Sequence, residues 1–167
     1  MMMEDLMSLG EWELFEQEIN QTTGLNAAAF DADGNRITKF AAWANTLCPL
    51  IKGNPGSAQA ICSVAHQEMA RQAQLTRLAV LAECDAGMLK ICVPIFKGEV
   101  FVGIAGGCGR MADRDRLESY HISQAIGIPE AQVEELADSI PILTEHEAQA
   151  AADFIAARVA EILRAAN

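Results

Sequence analysis

The sequence predicts an α+β fold: a five-stranded antiparallel sheet with helices packed on it and an amphipathic helix at each end. Three observations point there. Residues 84–108 (CDAGMLKICVPIFKGEVFVGIAGGC) read as a buried hairpin, with apolar runs at 88–96 and 99–107 around a Lys97-Gly98 turn. Residues 25–40 read as a second strand pair around the strong turn signal Asp31-Ala32-Asp33-Gly34-Asn35. Both ends of the chain carry apolar residues at helical spacing.

In chain order, residues 3–22 form the first amphipathic helix, with Leu6, Leu9, Phe15 and Ile19 on one stripe and Gly24 as its stop. Residues 25–30 (LNAAAF) and 36–40 (RITKF) are the first two strands. The DADGN turn opens like a calcium loop but lacks the remaining ligands and the distal Glu, so it is read as a turn. Residues 41–52 are a short helical connection carrying Trp43 and Cys48. Asn54 then caps a helix that has Pro55 in its first position and runs to about residue 74. Residues 78–83 (LAVLAE) are the third strand, and the hairpin supplies the fourth and fifth. Lys90 is the only charge in the hairpin's first run, so either both faces of that strand are covered or one lines a cavity. Gly103, Ala105, Gly106 and Gly107 in the return strand imply close approach by another group. Helices follow over 114–126 and 129–139, and Thr144 with Glu147 forms a capping box that opens the last, to about residue 165. Its stripe is Ile155, Val159, Ile162 and Leu163.

Two strands, a helical crossing and a three-strand meander are the layout of PAS-like and GAF-like sensor folds, which hold a small-molecule cavity between sheet and helices. With 167 residues and no linker, the chain reads as a single domain over 1–167. The net charge of −11 argues against a nucleic-acid or anionic-membrane surface. There is no signal-peptide pattern at the start and no run near the ~20 apolar residues of a membrane helix. The expected location is the cytoplasm, where cysteines are free, metal-bound or redox-active more often than a disulfide framework.

The five cysteines contain no CxxC pair. Cys92 falls inside a strand and reads as core. Cys48, Cys62, Cys84 and Cys108 are the candidate metal set, for zinc or an iron–sulfur cluster, with His66 beside Cys62 on one helical face. The hairpin brings Cys84 and Cys108 to one open end, and the apolar set Ile61, Val64, Ala65 and Met69 turns the Cys62–His66 face inward. The same residues can instead line a soft apolar pocket, or each can be a small core hydrophobe. Phe40 and Trp43 are candidates to cap an apolar ligand and Asp85 to accept a hydrogen bond from a ligand hydroxyl; core and turn roles are the ordinary alternatives. No nucleophile elbow, phosphate loop or HExxH is present, so an enzyme is not expected.

The chain resembles the PocR sensory domain. The resemblance is carried by TGLNAAAFDADGNRIT, the LCPLI and AIC cysteines, CDAGMLKICVPIFKGEVFVGIAGG, and IGIPEAQVEELADSIPILTEHEA. It implies a PAS-related sensor of small hydrocarbon derivatives such as propanediols, with Cys48, Cys62 and Cys84 as the matching cysteines. Where such domains often have glutamine after the Gly-Gly, this chain has Cys108, which adds a thiol. They are usually joined to a DNA-binding or kinase module, which this sequence does not contain. The expected partners are a small ligand, a second copy of the chain through the terminal helices, and a signalling output protein. The rival readings are a metal- or cluster-carrying redox or maturation protein, and an enzyme with a Cys nucleophile near His66.

Overall fold

The computed structural model describes residues 1–166. Its centre is an antiparallel sheet of four strands in the order β1-β4-β3-β2, with β1 Asn26–Asp31, β2 Val80–Glu83, β3 Leu89–Lys97 and β4 Val100–Arg110. The expected hairpin is β3–β4, with Lys97 opposite Val100 at the turn and Lys90 opposite Cys108 towards the open end.

The fifth strand is absent among the described residues: 36–40 do not join the sheet as a strand. The outer edge of β1 is filled in another way. Buried Glu16 accepts the Ala29 N–H at 2.8 Å, the Ile37 N–H donates to the Ala29 carbonyl at 3.1 Å, and the Arg36 guanidinium reaches the Ala27 carbonyl. The second carboxylate oxygen of Glu16 takes the Thr38 hydroxyl. Side chains thus satisfy the edge that a fifth strand would have paired, and only an isolated Phe30–Arg36 bridge remains.

Helix α1, Leu9–Thr23, starts later than its apolar pattern suggests, because Ser8 and Glu11 form the capping box; a 3₁₀ turn, Met3–Asp5, precedes it. Gly24 ends it with φ +70, as expected. Residues 41–47 are not helical. Asn45 Oδ1 accepts the N–H groups of Leu47 and Cys48, so helix begins only at α2, Cys48–Gly53. Asn54 caps the next stretch: a single turn α3, Pro55–Ser57, a π-helical segment, Ala58–Ser63, and α4, Val64–Thr76. The expected helix over 114–126 is broken. Arg114–Arg116 is a 3₁₀ turn, the Glu118 N–H is held by the Ala86 carbonyl, and α5 spans only Ser119–Ile126. Helix α6, Glu130–Ala137, and the long α7, Glu145–Ala165, follow, the latter with the predicted Thr144–Glu147 box. No helix among the described residues is long and apolar enough to cross a membrane.

The period-2 alternation of β3 sorts its side chains onto two covered faces. Leu89, Ile91, Val93 and Ile95 pack with Trp12, Phe15 and Ile19 of α1 and Ala152, Ile155 and Val159 of α7. The apolar stripe of α7 and, from that of the first helix, Phe15 and Ile19 therefore face their own sheet, whereas Leu9 is exposed. On the other face, Cys92 joins Ile104 under Met69 and Ala73 of α4, the core position expected for it. A third cluster, including Leu47, Ile51, Ile61, Met88, Met111 and Ile122, ties α2 and α5 to the end of the sheet.

Two glycines of β4 admit these neighbours. A Cβ at Gly106 would lie 1.8 Å from the Ile91 carbonyl oxygen, and one at Gly103 would lie 2.2 Å from that of Phe30. Gly106→Ala is expected to lower unfolding free energy by about 3 kcal/mol, since the obstacle is backbone. Gly10→Ala, in α1 with nothing within 4 Å, is expected to raise it by roughly 0.5–1 kcal/mol. Urea denaturation of the two variants beside wild type checks both signs.

Candidate functional site

Beside the covered part of that second face, the sheet and helices diverge around a cavity of about 340 Å³, near the lower end of the usual ~300–1,000 Å³ for small-molecule sites. Its floor is the sheet: Phe30 of β1, Lys90 of β3 and Cys108 of β4. Its wall is helical, with Cys48, Ile51 and Lys52 from α2, Ile61 and Cys62 from the π-helical segment, and His66 from α4. Cys84 and Ala86 close one end from the β2–β3 turn, and the exposed residues Asp33 and Gly34 overhang the other. A π-helical segment carries one residue more per turn than an α-helix and is frequent at functional sites. Here it is the part of the helical layer that faces the cavity.

The structure thus brings Cys48, Cys62, Cys84, Cys108 and His66 to one cavity. It places the other three candidates elsewhere. Phe40 packs on the core under α1, following the chain as it leaves the sheet. Trp43 lies in the irregular 41–47 segment, 41% exposed, with the Lys52 ammonium 6.0 Å from its ring. Asp85 is exposed and borders a shallow depression with Glu83, Gly87, Glu118 and His121.

The Cys48 thiol is held closely. It accepts from Asn45 Nδ2 at 3.3 Å and donates to Met88 Sδ at 3.4 Å, while the same amide nitrogen donates to the Gly109 carbonyl at 2.6 Å. Burial, reinforced by the neighbouring Cys108, pushes the Cys48 thiol up to about 12. Burial also raises Cys62 and Cys84, and takes Cys92 to about 11. Thiolate is the form that attacks electrophiles and binds metals, and these sites favour the thiol. Among the described residues, no group of three or more His, Cys, Asp or Glu side chains stands in a metal-holding arrangement.

His66 is 6% exposed, stacked on Phe30 with centroids 3.8 Å apart, and neither ring nitrogen has a hydrogen-bond partner. Burial, then the nearby cations Lys90 and Lys52, depress its pKa to about 4. A neutral imidazole offers one donor and one acceptor, and both are unused. Lys90 is 9% exposed, its ammonium 5.5 Å from the Phe30 ring centre. Burial opposes its charge; the thiols Cys108, Cys92, Cys62 and Cys84 support it, and the balance lifts its pKa. Burial of Cys92, Cys62 and Cys84 pushes those thiols away from the ionised form that lends the support. The lone charge of Lys90 left two readings open, a strand covered on both faces or one lining a cavity, and Lys90 lines the cavity; neither Asn45 nor Phe30 stands out in the sequence as a site residue. The signal for Lys90 was a charge in an otherwise apolar strand.

The family model described as the sensory domain found in PocR matches residues 5–167. No curated protein and no solved structure matches the chain.

The pKa of His66 is lower folded than unfolded, so the unfolded chain takes up the proton first and the stability contribution is lost as pH falls from 6.5 to about 4. At ~1.4 kcal/mol per unit the loss is about 3 kcal/mol. His66→Phe is expected to flatten that part of the profile, measured by denaturant unfolding at pH 7, 5.5 and 4.5. An equally steep loss in the variant would refute the assignment.

Proposed function

The chain belongs to the PocR sensory-domain family, and from that premise we propose that it senses a small hydrocarbon derivative, such as a diol, bound in the cavity between sheet and helices. The observation that carries this reading is His66: a buried ring on the cavity wall with both nitrogens unpartnered. An unmade hydrogen bond in a dry site costs about 1–3 kcal/mol, and a hydroxyl-bearing ligand relieves it. The apolar lining by Phe30, Ile51, Ile61 and Met88 suits a short carbon skeleton.

Strand β3 gives the signal a route. Lys90 on one face and Leu89 and Ile91 on the other belong to the same strand, so a ligand that displaces the cavity side also moves the residues beneath α1 and α7. Those two helices are read as the output elements, acting on a second copy or on an output protein through surfaces other than their buried stripes. The raised thiol pKa values of Cys48, Cys62 and Cys84 favour a binding role over a cysteine nucleophile.

A second reading has one observation in its favour: Cys48, Cys62, Cys84 and Cys108 line the same cavity. Under it they hold zinc or an iron–sulfur cluster. Elemental analysis and a visible spectrum of protein purified without air separate the two readings.

Propane-1,2-diol and related short-chain alcohols, aldehydes and acids are expected to raise the unfolding temperature progressively with the logarithm of ligand concentration above Kd, which corresponds to about 2.7 kcal/mol of added stability at 100 times Kd. Cys62→Phe, which fills the cavity from the π-helical segment, is expected to abolish that response while the protein stays folded. No response from wild type to any of these compounds would overturn the ligand-sensor reading.

A further inference from the structure

We propose that the ligand carries a carboxylate and that the buried Lys90 ammonium is its counter-ion. This inference rests on the reading of the cavity as a site for small hydrocarbon derivatives and narrows that class to its acids.

The charge around the cavity is the first ground. The protein as a whole carries −11, yet the ionisable side chains lining this cavity, thiols and His66 aside, are Lys90, Lys52 and Arg36 against Asp33 alone. Asp33 is exposed at the overhanging turn, whereas Lys90 lies on the floor. Among the described residues Lys90 makes no ion pair. A buried ammonium without an anion is among the costliest arrangements in a fold.

The second ground is what surrounds it. Burial pushes the thiols of Cys48, Cys62 and Cys84 up, away from the anionic form, and exposed Asp33 is the one carboxylate in the lining. The Arg36 Nε, also buried, has no hydrogen-bond partner, while its Nη2 is spent on backbone carbonyls of Ala27 and Phe40. Lys90, without an ion pair, and His66, without a hydrogen bond, flank Phe30 within one small space. A short-chain acid fits them: its carboxylate on Lys90, a hydroxyl or second oxygen on neutral His66, and its carbon skeleton against Ile61 and Met88. A neutral diol satisfies His66 and leaves the ammonium unpaired.

The test uses pairs of equal shape and different charge. Calorimetry on the whole chain at pH 7 compares propionate with propionamide, and lactate with propane-1,2-diol. The acids are expected to bind at least tenfold more tightly than their neutral partners. Lys90→Met is expected to erase that preference, and Lys90→Arg to retain part of it. If Lys90→Met does not fold, the wild-type acid-to-amide ratio decides alone. Equal affinity for acid and amide, or an acid preference that survives in Lys90→Met, overturns the proposal. Binding of the neutral compounds without the acids overturns it and leaves ligand sensing standing; binding of neither class removes both.

Discussion

The fold depends on the absence of side chains along β4. That strand lies between β1 and β3, and at Gly103 and Gly106 a methyl group would collide with the carbonyl oxygens of its two neighbours. Gly107 is similarly pressed by the Leu25 side chain. The three positions let the central strands twist and close on each other. They also leave the two faces of the sheet free to receive helices, with the cavity where the helical layer does not follow the sheet. Glycine weakens an isolated strand. Here the loss is offset by a strand paired along both edges and covered on both sides.

The second organising feature is the contrast between the faces of β3. Leu89, Ile91, Val93 and Ile95 are aliphatic and complete a dry core with α1 and α7. Lys90 and Cys92 look the other way, towards the cavity and α4. One strand therefore holds a tightly packed core on one side and an incompletely satisfied polar site on the other. Close-packed cores transmit small displacements rather than absorb them, which suits a strand that reports occupancy of its polar side to helices on its apolar side.

Much of this was legible in the sequence, for identifiable reasons. The β3–β4 hairpin follows from two apolar runs around Lys97-Gly98, and its geometry alone brings Cys84 and Cys108 to one end. The caps at Asn54 and Thr144 are local chemistry and stand where they were read. The strand assigned to 36–40 was not excluded by anything local; Glu16, distant in sequence, takes over the edge of β1, and only the folded chain shows it. Phe40 and Trp43 are aromatic neighbours in sequence that suit either a ligand cap or plain core; Phe40 takes the core role and Trp43 is 41% exposed. The late start of the helix at Cys48 turns on Asn45, whose amide oxygen accepts the Cys48 N–H and whose amide nitrogen donates to the distant Gly109 carbonyl.

The dressing of β1 by Glu16, Arg36 and Ile37 has a consequence for how these domains coexist. A bare outer strand is a template for pairing with another chain, and proteins that leave one open tend to aggregate edge to edge. Here the Ala27 carbonyl and both backbone groups of Ala29 are already taken by side chains and a crossing backbone. The opposite edge, β2, offers only four residues. Crowded copies of the domain thus have little to gain from strand addition at β1, and a carboxylate buried for one domain's own closure also keeps its neighbours apart.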